Sequence, residues 1–136
     1  MKKPLALVAV ALALSVPAAR AHHSFAAEFD ADKQVKLTGT VTKVQWRNPH
    51  TYFYVDVADE KGAVHNWAME LGSPNGLSRR GWTKDTLKLG DTITIEGSRA
   101  RDGSYKANAS NVTLGSGKRL FNGSNDDDAG AAADSK

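Results

Sequence analysis

The sequence predicts a mainly-β domain of five strands, with one short helix between strands 3 and 4. Across the middle of the chain, apolar residues mostly recur at every second position, the period at which a strand presents one face to a core. Gly-containing turns separate these stretches, and one Ser-Pro pair is typical of a helix start. This predicted domain, residues 35–121, has room for one small core and shows no internal repeat.

The first predicted strand, "VKLTGTVTKVQWR" (35–47), is unusually long and changes its inward face along its length. Val35 and Val41 share one parity, whereas Val44 and Trp46 share the other. Such a switch predicts a bulge or a sharp bend within the strand. We expect it at Gly39, because glycine is the residue type that bends in strands favour.

Four shorter stretches alternate in the same way, and a helix signal divides them into two pairs. Ser73 can cap a helix and Pro74 suits a first helical position, so we predict a helix that ends near Arg80. In the fourth strand, Ile93 and Ile95 are expected to face inward, and "RDGS" predicts a hairpin turn after it. These four predicted strands are residues 51–58, 63–71, 92–99 and 105–114.

This order of elements is the layout of an OB-fold, a small five-stranded Greek-key barrel. A bent first strand fits that fold, because it pairs in both halves of the barrel. An open α+β sheet with a similar order of elements remains the alternative.

The two ends of the chain differ from this domain. Residues 1–21 have a charged start, a short apolar run and a small-x-small exit, which predicts a signal peptide cleaved after Ala21. An N-terminal segment, 22–34, would then lead into the barrel. Residues 122–136 are acidic and rich in Gly and Ala, and they lack the apolar side chains that offset ordering entropy. We therefore predict a disordered acidic tail there.

The charge balance excludes several classes of function. The chain has 18 Lys and Arg residues against 15 Asp and Glu residues, and cleavage removes Lys2, Lys3 and Arg20, which leaves a balanced mature chain. Such a chain lacks the clustered positive charge that nucleic-acid binding needs. The absence of cysteine excludes a thiolate metal site and a lipid anchor on cysteine. We expect a soluble periplasmic or secreted protein that does not insert into the membrane after cleavage.

Half of the four histidines stand together at the predicted cleavage site, where they suggest a metal centre. Cleavage would make His22 the first residue, and its free α-amine has a pKa of roughly 8, low enough to lose a proton to a metal. The amine and the imidazoles of His22 and His23 could chelate copper, because Cu(II) favours planar nitrogen ligands. His50 is the further ligand that we predict, and His65 is a weaker candidate.

An alternative site is the face that OB-folds use for binding, which would bind a small molecule or a periplasmic protein. Strands 2 and 3 and the loops between strands 1 and 2 and between strands 4 and 5 form that face. Aromatic side chains there offer stacking area together with a polar group. The ligand-binding residues predicted on this face are Trp46, Asn48, Tyr52, Tyr54, Arg99, Arg101 and Tyr105.

Signatures of enzymes are missing from the sequence, so we expect a protein that is not an enzyme and predict no catalytic residue. The chain has no G-x-S-x-G elbow, no H-E-x-x-H motif and no clear nucleophile–base pair. The copper site and the aromatic face therefore stay open as two interpretations of a binding protein.

The stretches "HHSFAAEFD", "GTVTKVQWRNPH", "NWAMELGSPNGLSRRGW", "LKLGDTITIEG" and "ANASNVTL" together resemble a family of small exported bacterial proteins, mainly proteobacterial, classed as a domain of unknown function. The resemblance covers nearly all of the chain between the signal and the tail. It implies a periplasmic location and an OB-like barrel, and it implies no particular activity. The pieces that recur in this pattern are His22, His23, Ser24, Phe25, Trp46, Asn48, Pro49, His50, Trp67, Glu70, Ser73, Pro74, Asn75, Arg80, Gly81 and Trp82.

Overall fold

The computed structural model describes residues 25–122, which form a mainly-β domain with a short helix between strands 3 and 4. The predicted signal peptide, the three residues after it and residues 123–136 of the predicted tail lie outside this part of the chain. Within the described part, no helix is long and apolar enough to cross a bilayer. The elements in chain order are β1 (Phe29–Gln45), β2 (Tyr52–Ala58), β3 (Val64–Glu70), α1 (Pro74–Arg79), β4 (Thr92–Ala100), β5 (Lys106–Thr113) and β6 (Arg119–Phe121).

The strands form one sheet whose order is β3-β2-β1-β4-β5-β6, and a further pairing joins β3 to β5. The β3–β5 pairing is parallel, whereas the other neighbours are antiparallel. It closes β1, β2, β3, β5 and β4 into a ring of five strands. The predicted mainly-β class and the helix between strands 3 and 4 are confirmed.

The strand count is six, one more than we predicted. The sixth strand, β6, pairs with the second half of β5, where Val112 lies opposite Leu120. It has only three residues, of which Leu120 alone is buried. A three-residue strand is too short for an alternating pattern to stand out, which explains why the sequence did not reveal it.

β1 bends so that it can pair with two different strands. Its first part pairs with β4 and its second part pairs with β2, with Thr40 in both ladders. The predicted bulge exists, but it lies between Val41 and Lys43 rather than at Gly39. Gly39 has a different role, because a Cβ atom there would clash with the backbone oxygen of Asp56. The glycine permits a close backbone approach where β1 changes partners.

β1 also begins six residues earlier than predicted, at Phe29 instead of Val35. Residues 25–28, directly before it, are helical. The missed part, "FDADKQ", is mostly exposed and polar, so the sequence carried no alternation to reveal it. In consequence, six residues rather than about a dozen separate His22 from the first strand.

The core combines inward-facing strand residues, Ile93 and Ile95 among them as predicted, with residues of α1, β6 and the connecting loops, which alternation did not predict. Phe53 and Val55 of β2 are fully buried, and so are Ile93 and Ile95 of β4. Burying an aliphatic or aromatic side chain of this size stabilises a fold by roughly 1.5–3 kcal/mol. The other residues of this cluster are Val41, Val57, Trp67, Met69, Leu71, Leu77, Trp82, Leu87, Ala107, Ala109, Val112 and Leu120.

α1 begins and ends as its sequence predicts. The Ser73 hydroxyl accepts a hydrogen bond from the amide of Gly76, and Pro74 is the first helical residue. Beyond the helix, the buried Trp82 donates its indole N–H to the carbonyl oxygen of Phe121 at 2.9 Å. This bond connects the segment after α1 to β6.

The carboxyl end of the domain extends one residue into the predicted tail. Asn122 is buried, although we placed it at the start of the disordered segment. Its Oδ1 accepts a hydrogen bond from the amide of Gly72 at 2.8 Å, and its Nδ2 donates to the carbonyl oxygen of Ala109 at 2.7 Å. Asn122 therefore belongs to the folded domain and connects β5 to the segment that leads into α1.

Candidate functional site

His50 stands at the end of the loop between β1 and β2, directly after the cis Asn48–Pro49 peptide bond. Its Nδ1 lies 3.2 Å from the backbone oxygen of Leu71 and 3.5 Å from Oε1 of Glu70. A carbonyl oxygen can only accept a hydrogen bond, so Nδ1 must carry the proton. In the neutral ring the lone pair then resides on Nε2, which has no hydrogen-bond partner among residues 25–122. The ring is also 43% exposed.

Glu70, the last residue of β3, is a buried carboxylate with three partners. The Tyr52 hydroxyl donates to Oε2 at 2.7 Å, and the ammonium of Lys106 lies 3.8 Å from the same oxygen. His50 faces the other oxygen, Oε1. Burial and the hydrogen bond to Glu70 raise the pKa of the Tyr52 phenol well above its ordinary value. Tyr52 therefore stays a neutral donor to this carboxylate.

The residues before β1 are attached to the hairpin of β4 and β5 by two cations. Arg101 donates its Nε to the carbonyl oxygen of Ala26 at 2.6 Å, and its backbone amide donates to the carbonyl oxygen of Glu28 at 2.9 Å. Lys106 forms an ion pair with the Glu28 side chain. Phe29 is fully buried, with the Lys106 ammonium 5.6 Å from its ring centre. The start of the described chain is thus held firmly in one place.

Lys106 connects this N-terminal attachment to His50. The lysine lies between the carboxylates of Glu28 and Glu70, and Glu70 in turn faces the His50 ring. Only the side chains of Lys106 and Glu70 separate Glu28 from His50. We call this group the Glu70 network, and its members are Glu28, His50, Tyr52, Glu70 and Lys106.

The predicted metal ligands fall partly inside the described chain. His22 and His23 lie outside it, and His50 belongs to the Glu70 network. Residues 25–122 contain no group of three or more His, Asp or Glu side chains arranged to hold a metal ion. A metal site that uses His50 would therefore need ligands from beyond these residues.

The predicted aromatic face is divided among several places. Tyr52 contacts Glu70, whereas Tyr54 lies against β1, with its hydroxyl 3.4 Å from Oε1 of Gln45 and its ring 5.3 Å from the ammonium of Lys43. Arg101 holds the N-terminal residues. Trp46 is half-buried against the core, and Asn48 is exposed in its loop.

Arg99 and Tyr105 form a separate cluster at the β4–β5 turn, which we call the turn cluster. The Arg99 guanidinium lies 5.2 Å from the ring centre of Trp67 and donates to the carbonyl oxygen of Gly103 at 2.7 Å. The Tyr105 ring stacks on His65 at 4.2 Å and is 45% exposed. The cationic and aromatic groups of this cluster thus contact one another.

His65 is also engaged by the turn that joins β2 and β3. Its Nε2 lies 2.9 Å from Oδ2 of Asp59, whose other oxygen accepts the backbone amides of Lys61 and Ala63. The hydrogen bond from His65 is the largest of the effects that lower the pKa of Asp59. With one ring nitrogen bound to a carboxylate and one face covered by Tyr105, His65 is less accessible than His50.

Three members of the Glu70 network, Glu28, Glu70 and Lys106, were missing from the predicted site. Lys106 lies beside Glu70 because β3 and β5 pair, which places Lys106 opposite Ala68, and Glu28 joins the network through Lys106. Local alternation does not reveal which distant strands will pair. One signal was present, since glutamate is a residue type that is rarely buried and Glu70 ends an apolar strand.

Comparison with known proteins identifies a family. Among curated proteins, none matches this chain. The model of a family of unknown function, DUF6152, matches residues 9–109, and the chain is therefore a member of that family.

Proposed function

We propose that this protein is an exported periplasmic protein without catalytic activity that binds copper through its mature amino terminus. Cleavage after Ala21 would expose His22, whose α-amine and imidazole, together with His23 and His50, supply a set of nitrogen ligands. Nitrogen ligands of this kind suit Cu(II), which forms the most stable complexes of the divalent first-row metals. The ring of five strands with a helix between β3 and β4 supports an OB-fold as the scaffold.

The observation that best supports this proposal is the orientation of the His50 ring, which lies near the attached N-terminal residues. Nδ1 is hydrogen-bonded to a carbonyl oxygen and faces a carboxylate, which leaves Nε2 without a hydrogen-bond partner among residues 25–122, on a side chain that is 43% exposed. Histidines that bind metals in proteins are oriented in this way by acceptors on their second nitrogen. These contacts orient an imidazole whose second nitrogen no described residue engages.

The distance along the chain also supports the proposal. Six residues lie between His22 and β1, and the last four of them, 25–28, are helical. Glu28 is two side chains away from His50, so the segment that follows the proposed terminal ligands lies close to the His50 ring. An open cavity of about 640 Å³, lined by Ala27, Glu28, Arg101 and Asp102, lies beside the attached segment.

Copper titration of the protein that begins at His22 tests this proposal. His50→Ala should lower Cu(II) affinity by roughly 100-fold or more, because even outer partners of metal ligands are worth 10–100-fold in affinity. The matched control is His65→Ala, which removes the other histidine of the described chain and should leave the affinity unchanged. Equal affinities of the His50→Ala variant and the unaltered protein would remove His50 from the site.

A small-molecule or protein-interaction module remains the second candidate, and the turn cluster is the observation that favours it. Tyr105 is one of the exposed large hydrophobic residues of the described chain, and the Arg99 guanidinium lies over the ring of Trp67 beside it. A ligand that stacks on Tyr105 would change tryptophan fluorescence through Trp67. Such a change, in a protein that binds no copper, would favour this candidate.

A further inference from the structure

We propose that the groove beside the bulge of β1 binds a small amphiphilic anion, namely an aliphatic carboxylate. The groove is an open cavity of about 430 Å³ between β1 and the loop that precedes β4. It shares no residue with the Glu70 network or the turn cluster, so it is a site in addition to those two. Its lining residues are Thr42, Lys43, Val44, Asp85, Leu87, Lys88 and Leu89.

The bulge of β1 shapes one side of the groove. The register shifts between Val41 and Lys43, so that Lys43 lies opposite Tyr54. Bulges of this kind re-aim side chains and occur often beside functional sites. The Thr42 hydroxyl is already bound, because it donates to the carbonyl oxygen of Tyr54 at 3.3 Å and accepts from Nδ2 of Asn66 at 3.1 Å. The charged and apolar side chains of the lining therefore remain for a ligand.

The turn on the other side of the groove is held in place by hydrogen bonds. The backbone amide of Lys88 donates to Oδ2 of Asp91 at 2.9 Å. Gly90 donates its amide to the carbonyl oxygen of Val41 at 2.8 Å, and Val41 donates to the carbonyl oxygen of Asp91 at 2.9 Å. The groove is therefore formed before a ligand arrives, which lowers the entropic cost of binding.

The apolar part of the lining continues from the core to the surface. Leu87 is buried, Val44 is partly buried against the core, and Leu89 is 68% exposed. Leu89 is the most exposed large apolar side chain of residues 25–122. Apolar surface gains free energy when it is removed from water. An aliphatic chain that lies along these three side chains would cover this surface.

The charges around the groove favour an anion. Lys43 and Lys88 contribute two ammonium groups, and neither forms an ion pair with a residue of the described chain. The ammonium of Lys43 lies 5.3 Å from the ring centre of Tyr54, a contact that leaves its charge without a carboxylate. Asp85 is the one carboxylate of the lining. The excess of positive charge beside apolar side chains is complementary to a carboxylate that carries an aliphatic chain.

Titration of sodium octanoate into the protein that begins at His22 tests this inference. The titration is run without metal and below the concentration at which octanoate forms micelles. Octanoate should shift the backbone amide signals of residues 42–44 and 85–89 in proton–nitrogen correlation spectra, and the shifts should saturate. Octylamine has the same chain and the opposite charge, and it should bind roughly tenfold more weakly because like charges oppose each other.

Substitutions of the charged residues should act in opposite directions. Lys43→Met and Lys88→Met should each lower the affinity for octanoate roughly fivefold, the effect of one exposed ion pair. Asp85→Asn should raise the affinity by a similar factor, because it removes a charge of the same sign as the ligand. A damaged fold would lower the affinity in all three proteins, so a gain with Asp85→Asn distinguishes charge from folding.

Two controls are available for these variants. Leu89→Ser should weaken octanoate binding, whereas Val64→Ser removes another exposed apolar side chain, on β3, and should change nothing. Lys118→Met removes an exposed lysine outside the groove and should also leave the affinity unchanged.

Three results would overturn the inference. Equal binding of octanoate and octylamine, or unchanged affinity in both lysine variants, would show that charge does not select the ligand. Binding to phosphatidylglycerol vesicles without any response to octanoate would assign the groove to a lipid surface instead of a single small anion.

Discussion

At the scale of single residues, the buried carboxylate of Glu70 organises the candidate site. It accepts a hydrogen bond from Tyr52, faces a lysine ammonium and helps to orient His50. A buried charge is costly unless partners compensate it, so these contacts are mutually dependent. The function that we propose depends on this arrangement, because it leaves Nε2 of His50 without a hydrogen-bond partner among residues 25–122.

Asp59 provides a prediction about pH. Its pKa is lowered in the folded protein from an ordinary value of 3.8, chiefly by the hydrogen bond from His65. A carboxyl group with a depressed folded pKa stabilises the fold above its unfolded pKa, and this contribution disappears as pH falls through the folded value. The difference in unfolding free energy between the unaltered protein and Asp59→Asn should therefore be present at neutral pH and decrease below about pH 4.

Urea denaturation at a series of pH values measures that difference. In a His65→Ala background, the stability difference caused by Asp59→Asn should depend less on pH, because the hydrogen bond from His65 is the largest cause of the lowered pKa of Asp59. The amides of Lys61 and Ala63 still bind the Asp59 carboxylate and should preserve part of that pH dependence. Parallel stability profiles of the unaltered and Asp59→Asn proteins across this pH range would contradict the interpretation.

At the scale of elements, β1 determines how the ring closes. Its first part pairs with β4, its second part pairs with β2, and Gly39 lies where the partners change. The bulge after Val41 accounts for the parity switch that the sequence displays. The sequence revealed that β1 bends, but the exact position of the bend depends on contacts with β2, which local patterning does not report.

A substitution of Gly39 tests whether this close approach of the two strands is rigid. Gly39→Ala should lower the free energy of unfolding by about 1–3 kcal/mol, the usual cost of overpacking, because its Cβ would clash with the backbone oxygen of Asp56. Gly115→Ala is the matched control, since a Cβ there meets only the backbone oxygen of Thr92 at 3.5 Å, an ordinary contact. Similar denaturation midpoints for the two variants would show that the close approach at Gly39 is not rigid.

The elements that sequence patterning predicted well are those with strong local signals. Alternation located β2 and β4, and the Ser73 cap with Pro74 located α1. Two strand segments were missed because they lack alternation, namely the polar start of β1 and the short β6. Alternation and capping residues in the sequence thus predict half-buried strands and helix starts. Strand segments that are exposed or very short are identified only from the structure.

At the scale of the whole molecule, the parallel β3–β5 pairing connects the fold to the candidate site. It brings Lys106 beside Glu70, although 36 positions separate them in the chain. The sequence predicted His50 as a candidate, but it could not predict the carboxylates and the lysine around it. Those contacts depend on which distant strands meet, and several residues of the predicted aromatic face lie apart for the same reason.

We propose that cleavage at the signal builds a copper site from the new amino terminus and His50. Calorimetric titration of Cu(II) into the protein that begins at His22, beside a version with one additional N-terminal residue, tests this proposal first. We expect tight binding by the first protein and much weaker binding by the second, because the extra residue separates the α-amine from the His22 imidazole. Equal, weak binding by both would contradict it and direct attention to the turn cluster.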